Sequence, residues 1–286
     1  MPKQTLFLTS ALDVSVENGL LKMKKTDEQS NPLYRSLEDI HIIIVDNHSV
    51  HFTVPSLCLL GKSHIPVVFC DERHMPITVL TELDGSSVQG KIYRAQLGVG
   101  AVKKKRLWKQ VVEWKIRNQS RLLERLELGN DPLKRYYQNV CSGDSTNREG
   151  QAAKLYWKTL FGRTFIRSRY GEAPNNLLNY GYSILRAYIA RALIGSGLLP
   201  SIGINHKSYF NALPLADDIM EPYRPFIDEA VFYIFAGGVT DIDKTVKYEL
   251  ANIFYERISL NQLSQTTHSL AACFAGEADC IYYPLI

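Results

Sequence analysis

The stretch Ile77–Lys91, ITVLTELDGSSVQGK, lies where the character of the chain changes. Its first part alternates apolar and polar residues and is rich in β-branched side chains, which is typical of strands. Its second part is polar and contains glycine and serine, which is typical of a linker. Beyond it, apolar residues recur at helical spacing. The sequence therefore predicts an α+β fold: a small N-terminal β-sheet domain over residues 1–82, a linker over 83–94, and a larger, mainly α-helical domain over 95–286.

The first eighty residues contain short runs rich in β-branched and aromatic side chains, separated by turn residues, and such runs predict strands. They are TLFLTS, LDVSV, LLKMKK, IHIIIVD, HFTVP, IPVVFCD and ITVLTEL. Asn18 and Gly19 stand between the second and third runs, and this pair readily adopts the positive φ angles of a tight hairpin turn. One short helical turn is expected at SLCLLGK, closed by Gly61.

Two long helices are predicted in the second domain. Residues 102–128 contain no proline until the helix stops at GNDP, and they place Leu107, Val111 and Trp114 at positions i, i+4 and i+7. Residues 176–194 form the second long helix, which ends before a segment that contains glycine and proline. We find no internal repeat.

Composition narrows the class of protein without identifying it. The chain has 286 residues, 45% of them hydrophobic, and a formal net charge of +4. Such a chain can bury a sizeable core, which excludes a disordered or purely fibrous protein. No window approaches the roughly 20 apolar residues of a membrane-spanning helix, and the N-terminus lacks the apolar core of a signal peptide. We therefore expect a soluble, cytoplasmic protein.

The cysteines do not form a recognisable metal or disulfide pattern. They are odd in number, include no CxxC pair and have no nearby histidines at zinc-ligand spacing. We expect mostly buried thiols in a reducing cytoplasm. The residues concerned are Cys58, Cys70, Cys141, Cys273 and Cys280.

Two basic clusters in the predicted helical domain favour a polyanionic partner. The first helix carries Lys103, Lys104, Lys105, Arg106, Lys109, Lys115, Arg117, Arg121 and Arg125. The segment GRTFIRSRYG adds Arg163, Arg167 and Arg169, interleaved with aromatic residues. For the first cluster alone, a solvated face of an amphipathic helix is the favoured interpretation. The two clusters together keep nucleic-acid binding open.

Three acids crowd into PLADDIMEPYRPFID, residues 214–228. In a helix the side chains of Asp217, Asp218 and Glu221 would lie on overlapping faces and repel one another. Acids at a helix N-terminus complement the helix dipole, which explains one or two of them. A bound divalent cation or nearby arginines would explain all three.

Two further residues have both a structural and a functional interpretation. Thr146 and Glu149 have the S/T-x-x-E spacing of a capping box, so the Glu149 carboxylate is expected to cap a helix. His206 follows the second long helix among apolar and hydroxyl neighbours, where a histidine is more often a hydrogen-bonded interior residue than a ligand. Its place at a loop-to-helix junction keeps a functional role open.

Residues 178–228, LNYGYSILRAYIARALIGSGLLPSIGINHKSYFNALPLADDIMEPYRPFID, closely resemble the core motif of the CRISPR-associated spacer-acquisition integrase family. The motifs that carry the resemblance are a glutamate in an EGxxA helix, LNYGY in a long helix, Gly-x-x-His, and the acidic D-x-M-E-P-x-R-P. The resemblance extends over essentially the whole chain, because that family also has a small β domain before a larger helical one. It is greatest to members from type II systems.

The resemblance implies a metal-dependent DNA integrase or endonuclease of CRISPR adaptation. Such an enzyme joins 3′-hydroxyl ends of captured spacer DNA to the repeat boundaries of a CRISPR array by transesterification. By position, Glu149, His206 and Glu221 correspond to the three ligands of a catalytic Mg²⁺ or Mn²⁺ ion. The third ligand of the family is commonly aspartate, so Asp218 is a candidate for sharing or assisting the role of Glu221.

The resemblance also implies partners. These are double-stranded DNA as spacer precursor and repeat, a second copy of the chain in a homodimer, the small second CRISPR adaptation protein in a larger complex, and in type II systems the effector nuclease and an accessory adaptation protein. No membrane is involved. The candidate DNA contacts are Lys207, Arg163, Arg167, Arg169, Arg224, Lys103, Lys104, Lys105 and Arg106.

Two alternative functions remain from the residues themselves. A metal-dependent nuclease would use the same three ligands with water as the nucleophile. A DNA-binding scaffold without catalysis would use Glu149 as a helix cap, His206 as an interior residue and Glu221 as a helix-end charge. Joined DNA would indicate the integrase, shortened strands the nuclease, and bound but unchanged DNA the scaffold.

Overall fold

A computed structural model describes residues 4–26, 30–81, 85–129 and 131–286 of the chain. The chain divides into two compact units, residues 1–85 and 86–286. Strands make up most of the regular structure of the first unit, and helices that of the second. The predicted α+β class is therefore confirmed.

The first unit contains two four-stranded sheets in its described part. Their strands are β1 (Gln4–Leu8), β2 (Leu12–Glu17), β3 (Leu20–Lys25), β4 (Leu33–Arg35), β5 (Ile40–Val45), β6 (Val50–Phe52), β7 (Val67–Cys70) and β8 (Pro76–Leu80). One sheet has the order β1-β5-β7-β8, parallel except for β7 and β8, and the other has the order β4-β3-β2-β6. The β2–β3 hairpin turns at Asn18 and Gly19 with φ of 51° and 77°, which confirms the predicted turn.

Strand β5 forms the centre of this unit. All six of its residues are buried, and it pairs in parallel with β1 and β7. A strand covered on both faces has no need to alternate, which explains the continuous apolar sequence IHIIIV. Helix α1 (Val54–Lys62) begins two residues before the predicted helical turn. The short edge strand β4 was missed because three partly exposed residues carry no periodic pattern.

The second unit contains helices that pack around two long ones. The helices are α2 (Gln89–Gly98), α3 (Ala101–Arg125), α4 (Asp131–Gln138), α5 (Arg148–Phe161), α6 (Asn175–Gly195), α7 (Pro214–Met220), α8 (Arg224–Ala236), α9 (Lys244–Glu256) and α10 (Leu260–Ala275). Helix α3 packs against α4, α5 and α8, and α6 packs against α7, α8, α9 and α10. The two predicted long helices correspond to α3 and α6, within three residues at each end.

The second half of the predicted linker forms α2 instead, while residues 83 and 84 lie outside the described residues. The sequence of α2 contains glycine at both ends and has little helical periodicity. Its side chain Gln96 is buried and donates to the carbonyl oxygens of Leu199 and Ile202 at 2.9 and 3.0 Å, while its own carbonyl accepts the Leu199 amide at 2.9 Å. These tertiary bonds hold the segment, and local sequence does not reveal them.

The last residues of the chain lie along α3. Gln110 donates to the carbonyl oxygen of Asp279 at 2.7 Å and accepts the amide of Ile281 at 2.8 Å. The buried Asn118 donates to the carbonyl oxygens of Pro222 and Pro284 at 2.8 and 3.1 Å. Asn118 thus ties both the C-terminal segment and the segment between α7 and α8 to one side of α3.

The exposure of the cysteines tests the expectation that their thiols are mostly buried. Cys70 and Cys273 are buried, but Cys58, Cys141 and Cys280 are exposed, so the expectation of mostly buried thiols was wrong. The exposed cysteines lie in a short helix or in irregular segments, where no apolar pattern marks burial.

Within the described ranges, no helix has both the length and the apolar character that crossing a membrane requires.

Gly181 sets how closely α6 approaches α8. A Cβ atom on Gly181 would lie 2.4 Å from Cγ2 of Ile227 on α8. Gly181→Ala should therefore lower the free energy of unfolding by about 1–3 kcal/mol, because overpacking at this contact outweighs the gain in helix propensity.

Urea denaturation measures this effect. Gly90→Ala in α2 is the control, because a Cβ atom there meets nothing within 4 Å. We expect the control to keep or slightly raise the stability. An unchanged midpoint for the Gly181 variant would show that α6 and α8 separate without cost.

Candidate functional site

The acidic segment 214–228 folds as three short helical pieces rather than one helix. Helix α7 ends at Met220, residues Glu221–Tyr223 form a 3-10 turn, and α8 begins at Arg224. Pro222 has no amide hydrogen for the α-helical bond back to Asp218, and its ring clashes with that carbonyl. The proline thus breaks the helix at this point and leaves Glu221 at the junction.

The three acids of this segment do not share one partner. Asp217 accepts from Arg186 Nε and Nη2 at 2.6 and 3.2 Å and from Asn211 at 2.7 Å. Asp218 and Glu221 have separate partners, described below. The crowding of acids in the sequence is therefore resolved by a different cation or set of donors for each carboxylate.

Asp218 fixes the loop that carries His206. The carboxylate of Asp218 is fully buried and accepts the backbone amides of Ile204, Asn205 and His206 at 2.6, 3.0 and 3.2 Å. It also lies 2.6 Å from His206 Nδ1. Gly203 permits this close approach, because a Cβ there would lie 2.9 Å from Asp218 Oδ2.

The Asp218 contact determines which nitrogen of His206 is available. Hydrogen bonding to Asp218, against a smaller opposing effect of burial, raises the pKa of His206. With Nδ1 committed to the carboxylate, Nε2 is the nitrogen left for a ligand or a proton. The His206 side chain is 42% exposed, and the edge of its ring meets the Trp108 ring at 6.0 Å between centroids. Asp218 thus positions His206 in this arrangement.

Glu149 is not the helix cap that its spacing predicted. Helix α5 is capped by Asn147, which has a positive φ of 52° and accepts the Gly150 amide at 3.1 Å. The backbone amide of Glu149, which a capping box would bond to the Thr146 hydroxyl, donates to Asp144 Oδ2 at 3.0 Å instead. The capping-box expectation was therefore wrong, because Asn147 tolerates the left-handed conformation that this turn requires. The Glu149 carboxylate instead contacts Lys115 on α3.

Glu149 and Glu221 meet at one lysine. Lys115 Nζ lies 2.7 Å from Glu149 Oε1 and 2.6 Å from Glu221 Oε2. Arg224 Nε lies 3.0 Å from Glu221 Oε1. Burial raises the pKa of Glu221, but Arg224 and Lys115 lower it further, to about 2. Burial likewise disfavours the charged Lys115, yet Glu221 and Glu149 raise its pKa above the ordinary value. Glu221 and Lys115 therefore face each other as a charged pair at neutral pH.

The donor chemistry of the cluster fits a divalent cation. Two carboxylates and one imidazole are ligands that suit Mg²⁺ or Mn²⁺. Glu221 Oε2 is buried and contacts Lys115 Nζ at 2.6 Å, without an aligned hydrogen bond. As arranged around Lys115, the described residues do not bring three His, Cys, Asp or Glu side chains into a metal-binding group. Lys115 Nζ stands between Glu149 and Glu221 and contacts one oxygen of each.

A cleft of about 680 Å³ opens beside His206 and Arg224. Its basic lining comes from Arg167, Arg169, Arg186 and Arg224. Polar side chains also line it: Asn179, Ser183, Ser208 and Asn211. Asp217 also lines the cleft and pairs with Arg186, while the other arginines and the amide groups are suited to phosphate oxygens.

The floor of the cleft is stiffened by a buried acid. Asp228 accepts hydrogen bonds from Tyr182 and, at 2.7 Å, from Tyr156. The Tyr182 ring lies under the guanidinium groups of Arg224 and Arg167, at 4.4 and 5.2 Å from the centroid. Burial raises the pKa of Asp228 to about 6 despite the hydrogen bonds and arginines that lower it. The two arginines are thus held by stacking as well as by charge.

The predicted DNA contacts separate into groups. Arg167, Arg169 and Arg224 line the cleft, and Lys207 follows His206 on the exposed loop beside it. Arg163 is exposed outside the residues that line the cleft. Lys103 and Arg106 line a different, smaller cleft near Asp279, while Lys104 and Lys105 share the first turns of α3.

Two site residues were missed. Lys115 was counted only among the cations of its helix, and Arg186 was not singled out. A charged residue inside the apolar helix sequence SILRAYIARALIG was the available signal for Arg186. No local signal reveals that Lys115, unlike its neighbours, faces two acids from distant segments.

The fold and the family follow from comparison with known proteins. The fold is that of a casposase bound to integration product (TM-score 0.77, 20% identity, 97% of this chain and 92% of that one) and of a Cas1 protein from Thermotoga maritima (TM-score 0.75, 18% identity, 96% and 97%). The family model for CRISPR associated protein Cas1 matches residues 6–257. The chain belongs to the Cas1 family, which confirms the resemblance drawn from residues 178–228.

Named relatives agree with this assignment. The CRISPR-associated endonuclease Cas1 of Neisseria meningitidis serogroup C (strain 8013) is 37% identical over 232 residues, which cover 79% of this chain and 75% of that protein. A CRISPR-associated endonuclease Cas1 of Saccharolobus solfataricus is 28% identical over 82% of this chain and 71% of its own. A chain of a Cas6-RT-Cas1–Cas2 complex aligns with 100% of this chain at a TM-score of 0.70, over 36% of its own length. The relation to type II systems stays a prediction.

Glu221→Gln tests the charge cluster through its pH dependence. At pH 7 the substitution should lower the free energy of unfolding by about 3–5 kcal/mol, because it leaves Lys115 and Arg224 buried with one carboxylate fewer. A pKa lowered from 4.5 to about 2 gives stability that is complete above pH 4.5 and lost as pH falls toward 2. The difference between the two proteins should therefore shrink at pH 3.

Chemical denaturation at pH 7 and pH 3 measures both values. Glu249→Gln, at an exposed position of α9, is the control and should change neither value much. A difference for the Glu221 variant that stayed constant between the two pH values would contradict the ion-pair account.

Proposed function

We propose that this chain is a metal-dependent DNA integrase and endonuclease of CRISPR adaptation. It joins 3′-hydroxyl ends of captured spacer DNA to the repeat boundaries of a CRISPR array. The observation that supports this proposal is the pair of carboxylates, Glu149 and Glu221, that meet at Lys115 in a chain of the Cas1 family. Arg224, which pairs with Glu221, lines an arginine-rich cleft together with His206. A casposase of the same fold is described as bound to its integration product, and the relatives are named endonucleases.

Glu149, Glu221 and His206 Nε2 would hold Mg²⁺ or Mn²⁺. A bound ion of this kind polarises a phosphodiester and makes a 3′-hydroxyl a better nucleophile. In this proposal Asp218 is not a ligand, because both of its oxygens are committed to the loop of His206. Asp218 instead binds Nδ1 of His206 and so leaves Nε2 for the ion.

The cleft arginines would bind and orient the DNA strands. Arg169 and Arg224 would contact phosphate oxygens, while Asn175 and Asn179 hold the Arg167 guanidinium at 3.0 and 2.7 Å. Lys207 and the basic start of α3 would extend the contact to duplex DNA. Holding both strands in place makes the attack of the spacer 3′-hydroxyl on the repeat boundary effectively unimolecular.

The reaction is an in-line transesterification. The 3′-oxygen of the spacer forms a bond to a repeat phosphorus, and the bond from that phosphorus to the 3′-oxygen of the repeat strand breaks. The attacking hydroxyl loses a proton and the departing oxygen gains one, so no cofactor is consumed. With water in place of the spacer hydroxyl, the same site would cleave DNA, which is the endonuclease activity named for the relatives.

The proposal includes an assembly. Two separated active sites suit the two ends of one spacer, so we propose a homodimer that assembles with Cas2, the small second adaptation protein. The Cas1–Cas2 complexes among proteins of this fold support that partner. A type II effector nuclease and an accessory adaptation protein are further partners under this proposal, and the place of action is the cytoplasm of a prokaryote.

His206→Ala tests the reaction. The purified chain, with and without Cas2, is incubated with short duplex DNA and a supercoiled plasmid that carries a repeat array, in Mg²⁺, Mn²⁺ or chelator. We expect joined, branched DNA that depends on the metal and falls at least about 100-fold in the variant, because a ligand at the reacting phosphate is lost.

His268→Ala is the matched control, since His268 is exposed on α10 and does not line the cleft. Shortened strands without joining would show that the chain is a nuclease and not an integrase. DNA that is bound but unchanged under every metal and partner condition would leave only a binding scaffold.

Arg169→Ala tests the cleft as a DNA surface. The logarithm of the binding constant falls as the logarithm of the salt concentration rises, and loss of one phosphate contact should make this negative slope less steep by about 1. Fluorescence anisotropy with labelled DNA at several salt concentrations measures the slope. Lys244→Ala at the exposed start of α9 is the control. An unchanged slope for the Arg169 variant would place the DNA elsewhere.

A further inference from the structure

Lys115 is an unusual member of its helix. The other cations at the start of α3 are partly or fully exposed, whereas only 12% of the Lys115 side chain is exposed. Its ammonium group meets Glu149 from α5 and Glu221 from the junction of α7 and α8. Three segments far apart in sequence therefore converge on one positive charge.

The two carboxylates need a cation between them. Carboxylates that are brought together in a poorly solvated place repel each other, and an unpaired buried charge is strongly unfavourable. Lys115 and Arg224 supply two positive charges against the two negative charges of Glu149 and Glu221. The cluster is balanced without any bound ion, and this balance keeps the carboxylates together.

A divalent ion would use the same oxygens. Lys115 Nζ lies within 2.7 Å of one oxygen of each glutamate, whereas Mg²⁺ binds oxygen ligands at about 2.0–2.1 Å. The ammonium group and an ion cannot both occupy the gap between these oxygens. Binding of the ion therefore requires the ammonium group to leave, which the flexible four-carbon stem of lysine permits.

We propose that Lys115 holds the place of the catalytic cation: its ammonium group joins Glu149 to Glu221 in the metal-free protein and is displaced when a divalent ion binds. This inference rests on the metal site of the proposed function. Lys115 is a positioning residue in this role. It preserves the arrangement of the ligands and, by competing with the ion, weakens metal binding.

Lys115→Met tests the competition, because methionine keeps an unbranched apolar stem and removes the charge. Isothermal titration with Mn²⁺ alone should give a dissociation constant at least about tenfold lower than that of the unchanged protein, since no ammonium group has to leave. In chelator the variant should melt at a lower temperature than the unchanged protein. Added Mn²⁺ should raise its melting temperature by more.

Lys109→Met is the matched control. Lys109 lies on the same helix, is 41% exposed and pairs with Glu113 at 3.5 Å. This control should bind Mn²⁺ and melt like the unchanged protein in both conditions. Equal or weaker Mn²⁺ binding by the Lys115 variant would overturn the inference while leaving the proposed function intact. If neither the unchanged protein nor the Lys115 variant bound Mn²⁺, the proposed metal site and this inference would both be overturned.

A second measurement uses the unchanged protein and so does not depend on folding of the variant. Reductive methylation, followed by mass spectrometry of each lysine, reports how accessible each amine is. Labelling of Lys115 should be low in chelator and rise several-fold with Mn²⁺, relative to Lys109 in the same sample. Labelling of Lys115 that is unchanged or lower with Mn²⁺ would overturn the inference.

Discussion

The buried carboxylate of Glu221 is the charge on which the arrangement of the site depends. Pro222 ends α7 beside it, so Glu221 projects from a break between helices and not from a regular helical face. Lys115 on α3 and Arg224 at the start of α8 balance its charge from two sides. Because Lys115 also binds Glu149, one ammonium group connects α3, α5 and the α7–α8 junction. Removal of any one of these charges leaves the group with an unbalanced charge in a poorly solvated place.

Asp217 and Asp218, on the neighbouring α7, each hold a different group near this cluster. Asp218 organises the His206 loop, and Asp217 holds Arg186, which also reaches Asn211 at 2.8 Å. Each carboxylate therefore joins a loop or helix to α7. The same bonds that satisfy these carboxylates also hold His206 and Arg186 in the lining of the cleft. Stability and the geometry of the site thus arise from the same contacts.

Several site features were predictable because they are local or belong to a family motif. Glu149, His206 and Glu221 were proposed from short motifs, Arg167 and Arg169 from a basic segment, and Arg224 from the acidic segment 214–228. The prediction failed where two local patterns competed. Thr146 and Glu149 have capping-box spacing, but Asn147 in the left-handed conformation supplies the cap. Helix α2 was read as linker because its stabilising contact, Gln96 with the segment after α6, lies about one hundred residues away in sequence.

The sequence by itself determined the fold class, the hairpin at Asn18 and Gly19, the two long helices and the family of the chain. These properties depend on periodicity, turn chemistry and short motifs, all of which act between residues near one another in the chain. Only the tertiary structure decided that Asp218 holds His206, that α2 is a helix, and that Lys115 joins Glu149 to Glu221. These are charges and hydrogen-bonding groups brought together from distant segments, and their pairing depends on how the helices pack rather than on any local pattern.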